Sequence, residues 1–375
     1  MDYCEKINDY IKRAIFGFDL PGLAAGVYVG ADSPLDCAGM SCEAAAGFSD
    51  FYERAPLGTD NIFHMGSVSK LFVAAGVLIL ADHGALDVER PVCDYLPWFR
   101  MRDSRYKDIS TVQILTHTAG LPDVSDYGWN APEIDDDALR RYVSSDEVCE
   151  ASLLWDPRDG RFCYSNMGYE ILGCLIAELS GRDFETFTEE NLLRPLGMDA
   201  STFLTYTRTR AGSGISRDEI ADALSIDALR AAGVCAPHSK DDGNHIVREA
   251  HFPYNRAHGP SSTLTSNLRD MRRLGEACLH RESILFENRE KAWKPYALVP
   301  NNGEHIGLAW FIREQSGYRL YGHEGTDDGF RVSFWLCPQL DVQITVMSNL
   351  SGAPVKKINK QLFELIIAPP ERTTA

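Results

Sequence analysis

No stretch of this 375-residue sequence is apolar for long enough to cross a bilayer; the run from Leu71 to Ala81 falls short and reads as a buried core helix. The first residues, Met1-Asp2-Tyr3-Cys4-Glu5-Lys6, lack the basic stretch followed by an apolar one that marks an export signal. Ten cysteines are present without a C-x-x-C pair, and several lie in apolar runs. With no export signal they read as reduced, mostly buried thiols, and the compartment reads as the cytoplasm. Positive charge is scarce: 37 Lys and Arg against 54 Asp and Glu leave a net charge of −17. That balance argues against nucleic acid and anionic membrane surfaces as partners. His238, His245, His251 and His258 fall at no spacing that resembles a metal site, so they read as scattered loop histidines. Neither a metal nor a cofactor is expected.

A 44% hydrophobic content over this length is enough for a large core, in one domain or two interleaved lobes. Tyr3, Ile7, Tyr10, Ile11 and Ile15 recur at helical spacing until Leu20-Pro21-Gly22 breaks the pattern. Leu23 to Val29 and Glu43 to Phe48 then read as strands. Near the other end Leu308 to Ile312, Tyr318 to Gly322, Phe330 to Cys337 and Asp341 to Met347 read as four more, closed by a helix from Val355 to Ile367. Between them lie helical patterns at Ser110 to Pro122, Met167 to Leu179, Phe184 to Leu196 and Leu264 to Cys278. The implied fold is α+β: an antiparallel sheet from both chain ends, flanked by the terminal helices, with a mainly helical part inserted. Residues 1–60 and 290–375 would form the sheet lobe of a single unit, and 61–289 the helical lobe. Asp123 to Asp137 and a variable lid at about 205–260 would wall a pocket.

Three short motifs carry chemistry. Ser67-Val68-Ser69-Lys70 places a hydroxyl and an amine one helical turn apart on one face, at the head of the apolar helix that Gly84 stops. A serine hydroxyl needs a neighbouring base to act as a nucleophile, and a desolvated lysine can be that base. The spacing alone favours a helix-capping serine, because S-x-x-K occurs twice here. The second copy, Ser104 to Lys107, lies in a polar stretch and reads as a solvated loop. Tyr164 and Asn166, two apart, would offer a phenol and an amide to one site; alone they are equally a loop tyrosine and a cap. In Gly322-His323-Glu324-Gly325-Thr326, strand alternation turns His323 toward a cleft and Glu324 away. Gly325 there leaves room for a substrate against the strand. The N–H of Thr326 together with that of Ser67 would then form an oxyanion hole. His117 reads as a hydrogen-bonded structural residue.

Taken together, Ser67-Val68-Ser69-Lys70, Tyr164-Ser165-Asn166 and His323-Glu324-Gly325 resemble, in order and separation, the three motifs of the serine β-lactamase and penicillin-binding-protein superfamily. The branch is the one with class C β-lactamases, D-Ala-D-Ala carboxypeptidases, D-aminopeptidases and esterases. Ile114 to Pro122 and Pro195-Leu196-Gly197-Met198 match two further signatures, so the likeness runs from about Leu20 to Asn349. The resemblance implies a β-lactamase/transpeptidase-like fold with the site between its two parts. It implies Ser67 as the acylated nucleophile, Lys70 and Tyr164 as the base system, and Asn166, His323, Gly325 and Thr326 as substrate-binding groups. His323 stands where β-lactamases carry a lysine. An imidazole, mostly neutral at pH 7, suits a substrate carboxylate poorly and argues against efficient β-lactam hydrolysis.

The expectation is therefore a metal-independent serine hydrolase acting on a small ester or amide through an acyl-enzyme. The alternatives are a peptidase or amidase on D-amino-acid or N-acyl amino-acid substrates, an acyltransferase, a weak β-lactamase and, from another class, a binding protein that keeps the scaffold.

Overall fold

The computed structural model describes residues 2–208, 219, 222–280 and 283–368. Its centre is a nine-stranded antiparallel sheet, numbered here β1 (Gly22–Val29), β2 (Ser41–Asp50), β3 (Ala55–Pro56), β4 (Ala297–Leu298), β5 (His305–Ile306), β6 (Phe311–Gln315), β7 (Tyr318–Asp327), β8 (Phe330–Cys337) and β9 (Val342–Ser348). The order across the sheet is β3-β2-β1-β9-β8-β7-β6-β5-β4. β1 pairs with β9, Leu23 opposite Ser348, so the two ends of the chain are joined at the middle of the sheet.

Alternation along the strands sorts two apolar cores. Leu23, Ala25, Val27, Trp335, Ile344 and Val346 face one side; there they meet Ile7 and Ile11 of helix α1 (Tyr3–Phe18) and Ile358 and Leu362 of the C-terminal helix Val355–Ile367. Ala24, Phe330, Val332, Phe334 and Met347 face the other side and join the helical part. That part is built on helix α2 (Ser69–Asp82), which is buried on nearly every face, as its uniform apolarity requires. Helix α3 (Asn166–Ser180) packs beside it, started by Ser165, whose side chain takes the Gly168 N–H.

Several expectations change. Leu308 to Trp310 are outside the sheet: Ala309 has φ +66, and the N–H groups of Leu308 and Ala309 donate to Ala292 and Leu115. β7 does not stop at Gly322 but continues to Asp327, in register with β8. Ser104 to Lys107 form a single 3-10 turn pinned by buried Tyr106, with Lys107 exposed and Ser104 at the surface. Within the expected lid, 209–218, 220 and 221 lie outside the described residues, but Phe252 to Pro260 are buried. Arg256 anchors that stretch through Glu185 and Asp136. His238 and His258 are buried and hydrogen-bonded rather than loose in loops. All ten cysteines are unpaired, six of them buried.

Candidate active site

The first site element is a single 3-10 turn, Gly66–Val68, that leads directly into α2. Gly66 sits at φ +52, and a side chain there would lie 2.8 Å from the Thr326 nitrogen, so only glycine lets the turn approach β7 this closely. Ser67 stays half-exposed while Lys70, one turn on, is fully buried. A nucleophile open to solvent thus rests on a base closed to it.

Lys70 Nζ has three partners: Asn166 Oδ1 at 2.6 Å, the Ser261 carbonyl at 2.8 Å and Ser67 Oγ at 3.2 Å. The first two can only accept, whereas a hydroxyl can accept or donate. A neutral amine therefore keeps both N–H bonds and turns its lone pair to the Ser67 O–H. Burial makes that form accessible by pushing the ammonium down to about 8, against the opposing pull of Glu170, Asp327 and Asp123. Tyr164, half-buried, lies against the same pair, its ring centre 5.0 Å from Lys70 Nζ and its phenol next to Ser67. Burial raises its phenol above the ordinary value, so at neutral pH it is a donor and not a phenolate.

His323 and Glu324 point to opposite sides of β7, as alternation requires. Glu324 accepts from Trp335 Nε1 at 2.7 Å and Ser333 Oγ at 3.1 Å. The His323 ring lies 6.4 Å from that of Tyr164. Its Nδ1 is 2.6 Å from the Glu324 carbonyl, which can only accept, so this nitrogen carries the proton. Burial first, then Lys70, hold the ring down to about 3, so it is neutral at pH 7. Gly325 is required by the protein itself and not by a bound molecule: the space for its missing side chain is taken by the Met65 carbonyl, 2.1 Å from where a Cβ would be. Thr326 is exposed next to it. Asn166 is committed at both ends of its amide, through Oδ1 to Lys70 and through Nδ2 to Asp123 Oδ1 at 2.9 Å.

Four groups at the site had no assigned role in the motif reading. Asp123 also accepts the Asn166 backbone N–H at 2.7 Å. His117, at φ +56, stacks on Tyr164 with ring centres 4.2 Å apart and accepts the Ser165 N–H at Nδ1, 3.1 Å away. Asp327 accepts from Ser262 Oγ and pairs with His64 Nε2 at 2.7 Å, tying the Ser67 turn and the Lys70 acceptor segment to the end of β7. Glu170 is a buried carboxylate one turn after Asn166. Of these, only His117 was singled out by the sequence, as a structural residue; Glu170 is one of two acids, with Glu178, in the apolar run from Met167 to Leu179. No group of three or more His, Cys, Asp or Glu side chains converges to hold a metal among the described residues.

Comparison with known proteins follows the same lines. The chain is 27% identical over 292 residues to penicillin-binding protein 4* of Bacillus subtilis (strain 168), covering 76% of this chain and 60% of that one, so it spans less than two thirds of that relative's length. It superposes on the octameric penicillin-binding protein homologue from Pyrococcus abyssi with a TM-score of 0.75 at 21% identity, covering 97% of this chain and 77% of that chain. It superposes on the D-amino acid amidase from Ochrobactrum anthropi SV3 with a TM-score of 0.72 at 18% identity, covering 98% of this chain and 99% of that one. The family model described as Beta-lactamase matches residues 7–365, and the chain belongs to that family.

Proposed function

We propose that the protein is a serine hydrolase that cleaves a small ester or amide through an acyl-enzyme on Ser67. The observation that carries this reading is Lys70 Nζ, 3.2 Å from Ser67 Oγ, with its other two partners both pure acceptors. Neutral Lys70 takes the hydroxyl proton as Oγ bonds to the substrate carbonyl carbon and the carbonyl electrons move to its oxygen. The N–H groups of Ser67 and Thr326 receive that oxyanion. Tyr164 then passes the proton to the leaving group as its bond to the acyl carbon breaks, and water releases the acyl group by the reverse path. The raised phenol and the lowered ammonium divide the labour: Lys70 is the base, Tyr164 the donor.

Neutral His323 offers no cation to a substrate carboxylate, and Asp123 and Asp327 add negative charge around Lys70. Both features favour uncharged or cationic substrates over β-lactams. The overall likeness to a D-amino acid amidase supports amides as well as esters.

The test is a fluorophosphonate probe, which should add its mass to Ser67 in the parent and not in Ser67→Ala; an unlabelled, folded parent would leave the binding-protein reading in place. Turnover of an acetyl or D-alanyl p-nitroanilide should exceed that of nitrocefin. Tyr164→Phe is expected to lower p-nitrophenyl ester turnover by about a hundredfold or more, and unchanged turnover would remove the phenol from the mechanism.

A further inference from the structure

A buried acid stands behind the proposed base with no part in the steps above. Glu170 lies on α3 four residues after Asn166, on the helix face that also supplies the Lys70 acceptor. Its neighbour Tyr169 lies under the amine, the Lys70 nitrogen 5.3 Å from the ring centre. Glu170 is 0% exposed, its Oε1 is 3.3 Å from His258 Nδ1, and its Oε2 has no hydrogen-bond partner. His258 is itself buried, wedged against Tyr127 and Tyr142. The helical turn that begins after His258 ends near Ser261, whose carbonyl holds Lys70. A carboxylate hidden from water with one oxygen unpaired is costly unless a nearby charge compensates it.

We propose that Glu170 is the counter-charge of Lys70, a positioning residue that makes the Ser67 and Lys70 pair a three-member arrangement. The inference rests on the serine-hydrolase reading. When Ser67 gives its proton to Lys70, a cation appears in a site closed to water. The Glu170 carboxylate offsets that cation, as the third group of a nucleophile and base pair orients and stabilises the base. Other groups around Lys70 act in both directions. Asp123 and Asp327 add to the negative field, His117 and His323 are kept neutral by burial and by Lys70 and so add no charge of their own, and Tyr164 and Tyr169 present ring faces. Around Glu170 lie His258, Tyr142, Tyr127 and Cys174. Among the carboxylates, Glu170 exerts the strongest pull on Lys70.

The sign of the effect is fixed. A negative neighbour raises the pH at which an ammonium loses its proton, so removing it lowers that pH. The rate of Ser67 phosphonylation should rise with pH as Lys70 becomes neutral. In Glu170→Gln, which retains an acceptor for His258, this rising limb should move down by about one pH unit or more, and the plateau rate should fall about tenfold or more. Glu170→Asp, which keeps the charge, should hold the limb near the parent's position. Glu170→Leu, suited to the apolar run from Met167 to Leu179, provides a second charge-free variant if the glutamine is poorly folded. Purely structural damage would lower the amount of labelled protein and its melting temperature without moving the limb. A parent-like limb and plateau in whichever charge-free variant folds would overturn the proposal. Absence of labelling in the parent would instead defeat the hydrolase reading beneath it, and this inference with it.

Discussion

Lys70→Met is expected to slow acylation of Ser67 by about a thousandfold or more while leaving the protein folded. The loss follows from geometry: no other group that can accept a proton at neutral pH is bonded to Ser67 Oγ, because Tyr164 is held as a neutral phenol. Folding should survive because two effects of similar size oppose each other. Lys70 is depressed from 10.5 to about 8, which corresponds to roughly 3 kcal/mol lost by burying its charged form. Methionine removes that cost and is an unbranched, flexible side chain of similar length. It also leaves Asn166 Oδ1 and the Ser261 carbonyl without their donor, at about 1–3 kcal/mol each. The pH dependence distinguishes the two proteins. A base whose folded value is depressed binds fewer protons folded than unfolded between about 8 and 10.5, so the parent should gain stability as pH rises through that window. Lys70→Met should lack that gain. Parallel urea melts of the two proteins at pH 7 and pH 10 check it; identical pH dependence would mean Lys70 is not buried as a charge.

What could be read from the residues divides by the kind of information the site uses. Ser67, Lys70, Tyr164 and His323 announce themselves because side chains with their own chemistry recur at spacings a helix or strand turns to one face. Phe330 to Cys337 was legible to the residue because alternation and bounding turns agree. The Ser261 carbonyl that holds Lys70 has no signature at all, since every residue has a carbonyl and only the tertiary fold chooses which one is used. Asp123 looked like one more acid in a turn-rich loop; its role comes from Asn166, 43 residues away. His117 was legible as structural, but its stacking partner Tyr164 was not. β3, β4 and β5 are two residues long and exist only through their neighbours, so no periodicity could mark them. The burial of Phe252 to Pro260 was obscured because its polar members, Asn255, Arg256 and His258, are each satisfied by distant side chains or backbone.

Gly325→Ala is expected to abolish most activity and to destabilise the protein by more than the ordinary overpacking penalty of about 1–3 kcal/mol. A Cβ at this position would lie 2.1 Å from the Met65 carbonyl oxygen, 3.0 Å from its carbon and 3.2 Å from Val332 Cβ. The glycine is not needed for its backbone angles, because its φ is not among the positive ones. The obstacle is space, and two of the three atoms in the way are backbone, which no side-chain rotation can relieve. Either β7 must withdraw from the chain at Met65 or that chain must move. Met65 is the residue before Gly66-Ser67, and Thr326 is the residue after Gly325, so both escapes widen the gap between the Ser67 and Thr326 N–H groups. Donors aimed at a developing oxyanion lose their effect within fractions of an ångström, and losing one costs about a hundredfold to a thousandfold in turnover. Gly17→Ala provides the control: nothing lies within 4 Å of its missing side chain on α1, so stability should be unchanged or slightly higher and turnover unaffected. The measurements are urea melts and ester turnover for both variants. Parent-like turnover in Gly325→Ala would show that β7 and the Ser67 turn are not held in the contact that defines the anion-binding pair.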